Sequence, residues 1–351
     1  MSYQLTIEPL GATIEVEDGQ NMLDAALRHG IYLPHACCHG LCGTCKVHII
    51  DGDVDHGEAN PFALMDFERE EGRTLACCAL LNSDVVIEAD IDEEPDARII
   101  PVRDFVGRVS SINVLTPTIK AIFIKLNESI EFQAGQYINL TIPGLNESRA
   151  FSIANSPTCH GEIELNIRRV PGGVGTAYFH EKLKVADEVK LSGPYGRFFV
   201  RKSAQLPMIF MAGGSGLSSP RSMIIELLEE GCDLPITLFY GQRSLDELYY
   251  DTEFRELASQ YKNFTYVPTL SHEPIDSKWT GARGFVHEVA KEHFSGSFKG
   301  HKAYLCGPPA MIDACITTLM RGQLFEEDIY TEKFVSAADV QQARSPLFKK
   351  V

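Results

Sequence analysis

Apolar residues recur at two periods along this chain, and the change of period divides it into three stretches. In the first, residues 1–94, apolar and polar positions alternate over 4–8 and 13–16, which predicts two short half-buried strands. Over 21–29 the period lengthens. Met22, Leu23, Ala26 and Leu27 share one face and predict a helix. A cysteine-rich loop follows, with further strands expected at 46–50 and 84–89. DIDEEPDAR, residues 90–98, is acidic, contains Pro95 and reads as a linker.

Short β-branched runs then appear at 105–112, 119–126, 136–142, 162–169 and 188–192, punctuated by Gly and Pro, the pattern of an antiparallel barrel. Beyond 205 the strands become continuously apolar. The run 208–211 precedes a glycine turn and a helical stretch, 221–230, and 236–240, 264–267 and 302–305 are later strand candidates. Strands buried on both faces with helices between them predict a parallel sheet. The expected fold is multidomain: an α+β domain at 1–94, a linker at 95–100, a six-stranded antiparallel β-barrel at 101–203, a parallel-sheet α/β domain at 204–340 and a tail at 341–351.

The 351 residues suffice for two or three cores, and charge is distributed unevenly over them. Residues 1–100 carry 20 Asp and Glu against 5 Lys and Arg, a net of −15, out of −16 for the whole chain. Such a surface repels nucleic-acid phosphates and suits a basic patch on another protein. The start, MSYQLTIEPLG, lacks a basic-then-apolar signal segment. No apolar run approaches the roughly 18 residues that cross a bilayer. A reducing cytoplasm is therefore expected, with no membrane partner, where cysteines stay thiols or bind metal.

Cysteine spacing supplies the sharpest chemistry. PHACCHGLCGTC, residues 34–45, sets Cys37, Cys42 and Cys45 in the order C-x4-C-x2-C. LACC offers Cys77 or Cys78 as a fourth thiolate, and the set has the spacing of a plant-type [2Fe-2S] cluster. Iron in such a cluster prefers soft thiolate sulfur, so the adjacent His35 and His39 are not expected to be ligands. Gly40 and Gly43 let backbone N–H groups approach the sulfurs. Four-thiolate zinc would use two short C-x2–4-C knuckles, and only one is present.

RAFS (149–152) and GGVGT (172–176) form a weaker pair. Glycines before a helix present free N–H groups to phosphate, and Arg149 adds charge-assisted bonds to the same diphosphate. AGGSGLSSP (212–220) lies between a buried strand and a helix, which favours a dinucleotide cradle without the GxGxxG order. CGPP (306–309) follows another strand. Cys306 reads equally as a small buried residue or as a group facing a nicotinamide ring. NADH gives two electrons together and the cluster takes one, so a flavin is needed between them.

Over essentially its whole length the sequence resembles the family of ferredoxin–NAD reductases that serve bacterial multicomponent oxygenases. It is most similar to the phenol hydroxylase members, notably in NPFALMDFERE and KAYLCGPPAMIDA. The resemblance implies a β-grasp [2Fe-2S] ferredoxin-like domain, an FAD-binding barrel and an NAD-binding domain. It implies Cys37, Cys42, Cys45 and Cys77 as iron ligands. It implies Arg149, Ala150, Phe151, Ser152, Arg168, Val170, Gly173, Gly175 and Thr176 at the flavin, with Ser152 near N5. Phe151 stands where the family often has Tyr, so this side chain offers a ring without a hydroxyl. GPYGRF (193–198) resembles the turn that closes the barrel. Gly213, Gly214, Ser215 and Gly216 are implied at the NADH phosphates, with Cys306, Gly307 and Pro308 beside the hydride path. EKF brings Glu332 and Phe334 near the isoalloxazine. Ser152, Cys306 and Glu332 are the catalytic candidates.

Arg243 marks where an adenine ribose would lie, and the carboxylates of Asp246 and Glu247 after it favour NADH over NADPH. The expected function is NADH-dependent reduction of FAD, then single-electron transfer through the cluster to a diiron hydroxylase component. The same path serving another oxygenase is the rival enzyme reading, and a plain ferredoxin-like carrier is the non-enzyme one.

Overall fold

The computed structural model of the chain describes residues 2–36, 38, 40–91, 94–145 and 147–334. Cys37 and His39, singled out above, lie outside the described residues, as do 335–340 and the tail at 341–351. Internal contacts divide the chain into two compact units, Met1–Arg103 and Asp104–Val351.

In the first unit the strands are β1 (Ser2–Glu8), β2 (Ala12–Glu17), β3 (Lys46–Asp51), β4 (Val54–Asp55), β5 (Arg73–Leu75), β6 (Leu80–Leu81) and β7 (Val85–Glu88). The helices are α1 (Met22–Arg28) and α2 (Asp66–Glu70). The main sheet runs β2-β1-β7-β3-β5, with β1 parallel to β7 and antiparallel to β2. This is the β-grasp arrangement. Asn21 starts α1 by accepting the Asp24 N–H at 2.8 Å. The helix buries Met22, Leu23, Ala25 and Ala26 in a core with Leu5, Ile7, Val16 and Ile87.

The second unit opens with a six-stranded sheet of order β11-β10-β13-β8-β9-β12. Its strands are β8 (Arg103–Val114), β9 (Ile119–Leu126), β10 (Tyr137–Ile142), β11 (Glu147–Ser152), β12 (Glu162–Arg168) and β13 (Glu188–Tyr195). An antiparallel bridge from Ile153 to Leu165 joins its two ends into a barrel around Ile138, Leu140, Ile163 and Phe179. Helix α3 (Val174–Glu181) follows β12.

The chain then builds the parallel sheet β17-β16-β15-β14-β18-β19. Its strands are β14 (Met208–Gly213), β15 (Ile236–Gln242), β16 (Phe264–Leu270), β17 (Ala282–Arg283), β18 (Lys302–Gly307) and β19 (Ile329–Lys333). Between them run α4 (Ser218–Glu229), α5 (Asp251–Gln260), α6 (Val286–His293) and α7 (Pro309–Arg321). Every residue of β14 is buried, which accounts for its unbroken apolar run.

Three local expectations change. Helix α4 begins at Ser218 rather than 221, because Pro220 falls in the first turn, where no N–H partner is lost. β13 continues through Gly193 to Tyr195, where a turn was expected. Tyr195 pairs with Tyr137 and stacks on it at 5.6 Å, so the ladder carries on. β11 and β19 were not expected as strands. Both are sheet edges, largely polar and without an apolar run.

A buried ionic network ties the barrel to the parallel-sheet domain. Arg221 on α4 donates to Glu164 on β12 at 3.0 Å, to the Ala154 carbonyl at 2.8 Å and to both oxygens of Glu253 on α5 at 2.9 and 3.0 Å. Its guanidinium lies 4.3 Å over the Tyr250 ring, and the Tyr250 hydroxyl donates to Glu164. Glu164 is almost fully buried. Arg221→Ala strands that carboxylate in a low-dielectric interior and is expected to cost about 3–5 kcal/mol. A urea titration of wild type and variant, followed by circular dichroism, checks it.

Candidate functional sites

In a parallel sheet the ligand crevice opens at the carboxyl ends of strands where the winding reverses. Here the chain runs from β14 outward to β15 on one side and returns to β18 on the other. The crevice is therefore bounded by the turn after Gly213 and by Cys306 and Gly307. A Cβ on Gly216 would stand 2.5 Å from the Cys306 carbonyl oxygen, so only glycine allows the two turns to close this tightly. Gly214 takes φ +60 and accepts a hydrogen bond from the Tyr249 hydroxyl at 3.2 Å. The Ser215 carbonyl accepts from the Ser218 hydroxyl at 3.1 Å. Pro308 caps α7, and the Phe334 N–H donates to the Gly307 carbonyl at 2.9 Å.

Strand register brings the next group together. Cys306 pairs with Ala212 on one side and with Glu332 on the other. One carboxylate oxygen, Glu332 Oε2, accepts from Ser219 Oγ at 2.7 Å, Ser152 Oγ at 3.2 Å and Cys306 Sγ at 3.5 Å. Ser152 comes from the barrel and the other three from the parallel-sheet domain. The two serines and Cys306 are buried, while Glu332 keeps partial exposure. Burial pushes the Glu332 carboxyl above its ordinary range against the pull of its three donors. Burial, aided by Glu332, pushes the Cys306 thiol well above its own. Cys306 is thus held as a neutral thiol, an apolar wall rather than a nucleophile.

On the barrel side, Gly173 caps α3 without a side chain, leaving its first N–H groups open. A Cβ on Gly175 would stand 2.8 Å from Ile142 and 3.1 Å from Arg149 Cγ, so a bare backbone lines this cradle. Thr176 Oγ1 accepts the Val170 N–H at 3.1 Å and fixes the loop. Arg149 is half-exposed and turned to Glu147 at 2.6 Å, a surface pair weak enough to be exchanged for a diphosphate. Ala150 lies on the same strand, and Phe151 packs edge-on against Phe179 at 5.3 Å. Arg168 Nη1 lies 3.1 Å from where a Gly214 Cβ would sit, so this barrel residue reaches the dinucleotide turn. Asn166, on the same face of β12, buries its side-chain N–H group without a partner among the described residues. An open helix terminus, a bare cradle and an unmet donor fit a flavin and a nicotinamide dinucleotide.

The cysteine loop spans the gap between α1 and β3. Cys45 and Cys77 are buried, and Cys42 is exposed. The Cys77 contact, with burial, pushes the Cys45 thiol far upward, so these two sulfurs share one place. Cys78 is a near neighbour, its Sγ 3.7 Å from Cys77 Sγ. A Cβ on Gly40, at φ +69, would meet Cys78 Sγ at 2.7 Å and the Ala59 Cα at 3.3 Å. Cys45 beside Cys77, next to a loop that Gly40 and Gly43 keep close, fits part of the thiolate set of a [2Fe-2S] cluster.

Ser152, Cys306 and Glu332 are thus drawn together, and Arg168 joins Gly214. Arg243 is not part of this group. It lies just beyond β15, exposed, with its carbonyl accepting the His272 N–H at 2.8 Å. Ser219 was missed by sequence reasoning. Its signal was its place in the glycine turn, yet nothing in the sequence aims its hydroxyl at a residue 113 positions away.

Family models match three consecutive stretches: a 2Fe-2S iron–sulfur cluster binding domain over 5–82, an oxidoreductase FAD-binding domain over 107–200 and an oxidoreductase NAD-binding domain over 210–316. The chain is 57% identical to the reductase component of phenol 2-monooxygenase from Pseudomonas sp. strain CF600, covering 100% of both chains. A phenol hydroxylase protein of Acinetobacter pittii is 56% identical, again over 100% of both. Among solved structures, the Amycolatopsis reductase GcoB superposes with a TM-score of 0.86 at 32% identity, covering 95% of this chain and 98% of that one.

Proposed function

Since this chain belongs to the family of reductase components that serve phenol 2-monooxygenase, we propose that it takes electrons from NADH and delivers them singly to the diiron hydroxylase component of that system. When bound, FAD accepts the pair from NADH and the [2Fe-2S] cluster carries single electrons outward. The observation that carries this reading is the convergence of Ser152, Ser219 and Cys306 on Glu332, which gives barrel and dinucleotide domain one shared site.

The chain's own residues bind, orient and exclude water. Arg149 and the open N-terminus of α3 hold the flavin diphosphate, with Gly173, Gly175 and Thr176 shaping the cradle. The turn 213–216 and Gly307 hold the dinucleotide phosphates. Ser152 orients the flavin edge, Cys306 presents a neutral thiol to the nicotinamide face, and Glu332 Oε2 holds all three donors in place. Cys37, Cys42, Cys45 and Cys77 ligate iron. The domains are 1–94, 101–203 and 204–340, joined at 95–100, a division supported by the break at Arg103 and the three family models. No helix among the described residues is long and apolar enough to cross a membrane. A cytoplasmic site accords with that and with the free thiols.

The test is anaerobic stopped-flow with NADH. Flavin bleaching should be followed by bleaching of the cluster. A cluster that stays oxidised under excess NADH refutes the reading.

NADH preference rests on Asp246. Glu247 accepts from Thr118 Oγ1 at 2.7 Å and Thr116 Oγ1 at 3.1 Å, which engages it structurally. Asp246 is exposed at the same strand end and is the carboxylate available to a ribose 2′-hydroxyl. kcat/KM for NADH should exceed that for NADPH by about tenfold to hundredfold, equivalent to roughly 1.4–3 kcal/mol. Asp246→Ser should narrow the ratio, as steady-state kinetics with both nucleotides would read.

A further inference from the structure

Two consecutive tyrosines, Tyr249 and Tyr250, stand just before α5. Their rings meet at 5.1 Å, inclined at 61°, yet their hydroxyls go to different elements. Tyr250 donates to Glu164 on the barrel strand β12 and carries the Arg221 guanidinium over its ring. Tyr249 donates to the Gly214 carbonyl at 3.2 Å. Neighbouring side chains thus tie the barrel and the dinucleotide turn to one point of the chain.

That point is firmly held. Tyr250 takes φ +57, a left-handed conformation that residues other than glycine keep only where their surroundings fix it. Tyr249 is 3% exposed and packs edge-on against Tyr240 of β15 at 5.7 Å. Burial pushes the Tyr249 phenol well above its ordinary range, so the hydroxyl keeps the proton it donates. The turn it meets is the opposite case. With glycine at 213, 214 and 216, many backbone conformations are open to it. One hydrogen bond from a buried, ring-packed hydroxyl selects among them.

The selection has a direction. Across a trans peptide the carbonyl and the following N–H point opposite ways, and the Gly214–Ser215 bond is trans. With the Gly214 oxygen drawn to Tyr249, the Ser215 N–H faces away from it. Arg168 brings a cation to the same turn, its Nη1 3.1 Å from where a Gly214 Cβ would sit.

We propose that Tyr249 is the positioning residue of the dinucleotide turn: by holding the Gly214 carbonyl, its hydroxyl keeps the Ser215 N–H set, together with Arg168, for the diphosphate of NADH. The proposal rests on the reductase reading and adds to its site a residue that acts through the turn rather than on the ligand. The diphosphate is remote from the hydride, so it is bound alike before and during transfer. Loosening its cradle weakens binding and leaves the rate at saturation in place.

The test uses the flavin- and cluster-loaded full-length protein, comparing wild type with Tyr249→Phe, which removes only the hydroxyl. Ile236→Val serves as a control for lost stability, since Ile236 is buried at the amino end of β15, away from the crevice. Kd for NADH is read from anaerobic stopped-flow and Kd for ADP-ribose, which keeps the diphosphate without the nicotinamide, from calorimetry. Tyr249→Phe should raise both by about fivefold to thirtyfold, with the limiting rate of flavin reduction changed less than about twofold. Ile236→Val should lower the urea midpoint and leave both Kd values unchanged. In the wild type, ADP-ribose should slow hydrogen–deuterium exchange of segment 213–217.

Wild-type Kd values in Tyr249→Phe would overturn the proposal and leave the reductase reading intact. Weakened NADH with unchanged ADP-ribose would overturn it by assigning Tyr249 to the nicotinamide end. A lowered limiting rate at unchanged Kd would overturn it in favour of ring alignment. Should the variant not fold, unprotected amides over 213–217 in the wild type would still overturn it. A wild-type protein that binds neither NADH nor ADP-ribose would remove the reductase reading, and this proposal with it.

Discussion

Cys42→Ala is expected to reduce electron delivery to the hydroxylase to background while NADH still bleaches the flavin. Iron in the cluster needs four thiolates, and neither His35 nor a carboxylate supplies the soft sulfur it prefers. Cys42 is exposed, so its removal leaves the packing of Leu5, Ile7, Leu64 and Leu75 intact. The change is therefore chemical rather than a loss of fold. Iron content, the visible spectrum and anaerobic stopped-flow separate the two half-reactions, and hydroxylase turnover measures delivery. Loss of flavin reduction as well would mean that the unit Met1–Arg103 and the unit Asp104–Val351 do not fold independently.

The second large effect belongs to Glu332. In Glu332→Ala, Ser219, Ser152 and Cys306 lose their common acceptor, and the fully buried Ser219 hydroxyl is left unsatisfied at about 1–3 kcal/mol. The groups that align donor and acceptor rings then relax. Misplacement on the order of 1 Å costs about 100-fold in rate. Flavin reduction by NADH should slow by about that factor, with NADH affinity changed less than about tenfold. Glu332→Gln keeps an acceptor oxygen at the same place and should recover most of the loss, an outcome that a role needing the carboxylate's charge or proton would not give. Single-turnover kinetics at saturating NADH measures it.

The same glutamine variant has a pH signature. Burial holds the Glu332 carboxyl above its ordinary value of 4.5 in the folded chain, so the folded state binds more protons than the unfolded one in the window just above 4.5. Wild-type stability should therefore fall as pH rises through that window. Glu332→Gln removes this dependence, and the gap between the two unfolding midpoints should widen in favour of the variant as pH is raised.

Most of the architecture was legible because local patterns state it directly. The unbroken apolar run at Met208–Met211 belongs to a strand covered on both faces, and alternation at β1 and β2 to a sheet with one face in solvent. Edge strands escaped. β11 carries the flavin residues and β19 carries Glu332, yet both are polar and short, and their pairing is fixed by neighbours rather than by their own composition.

By itself the sequence determined the chemistry that depends on residue type and short spacing: a C-x4-C-x2-C loop for an iron–sulfur cluster, glycine-rich turns beside strands for dinucleotide phosphates, and an acidic amino-terminal third. These are readable because the loops that hold them are short and local. Only the tertiary structure decided which distant groups meet. Ser152, Ser219, Cys306 and Glu332 lie on a barrel strand, a helix and two sheet strands; the parallel register of β18 and β19 sets Cys306 beside Glu332, and the packing of α4 and of the barrel brings Ser219 and Ser152 to the same oxygen. Likewise, Phe62, Met65 and Phe67 look like core residues in sequence. They stand exposed because Ala59, Ala63 and Leu64 take the inward positions over the cysteine loop, and a segment that short has only one face to bury.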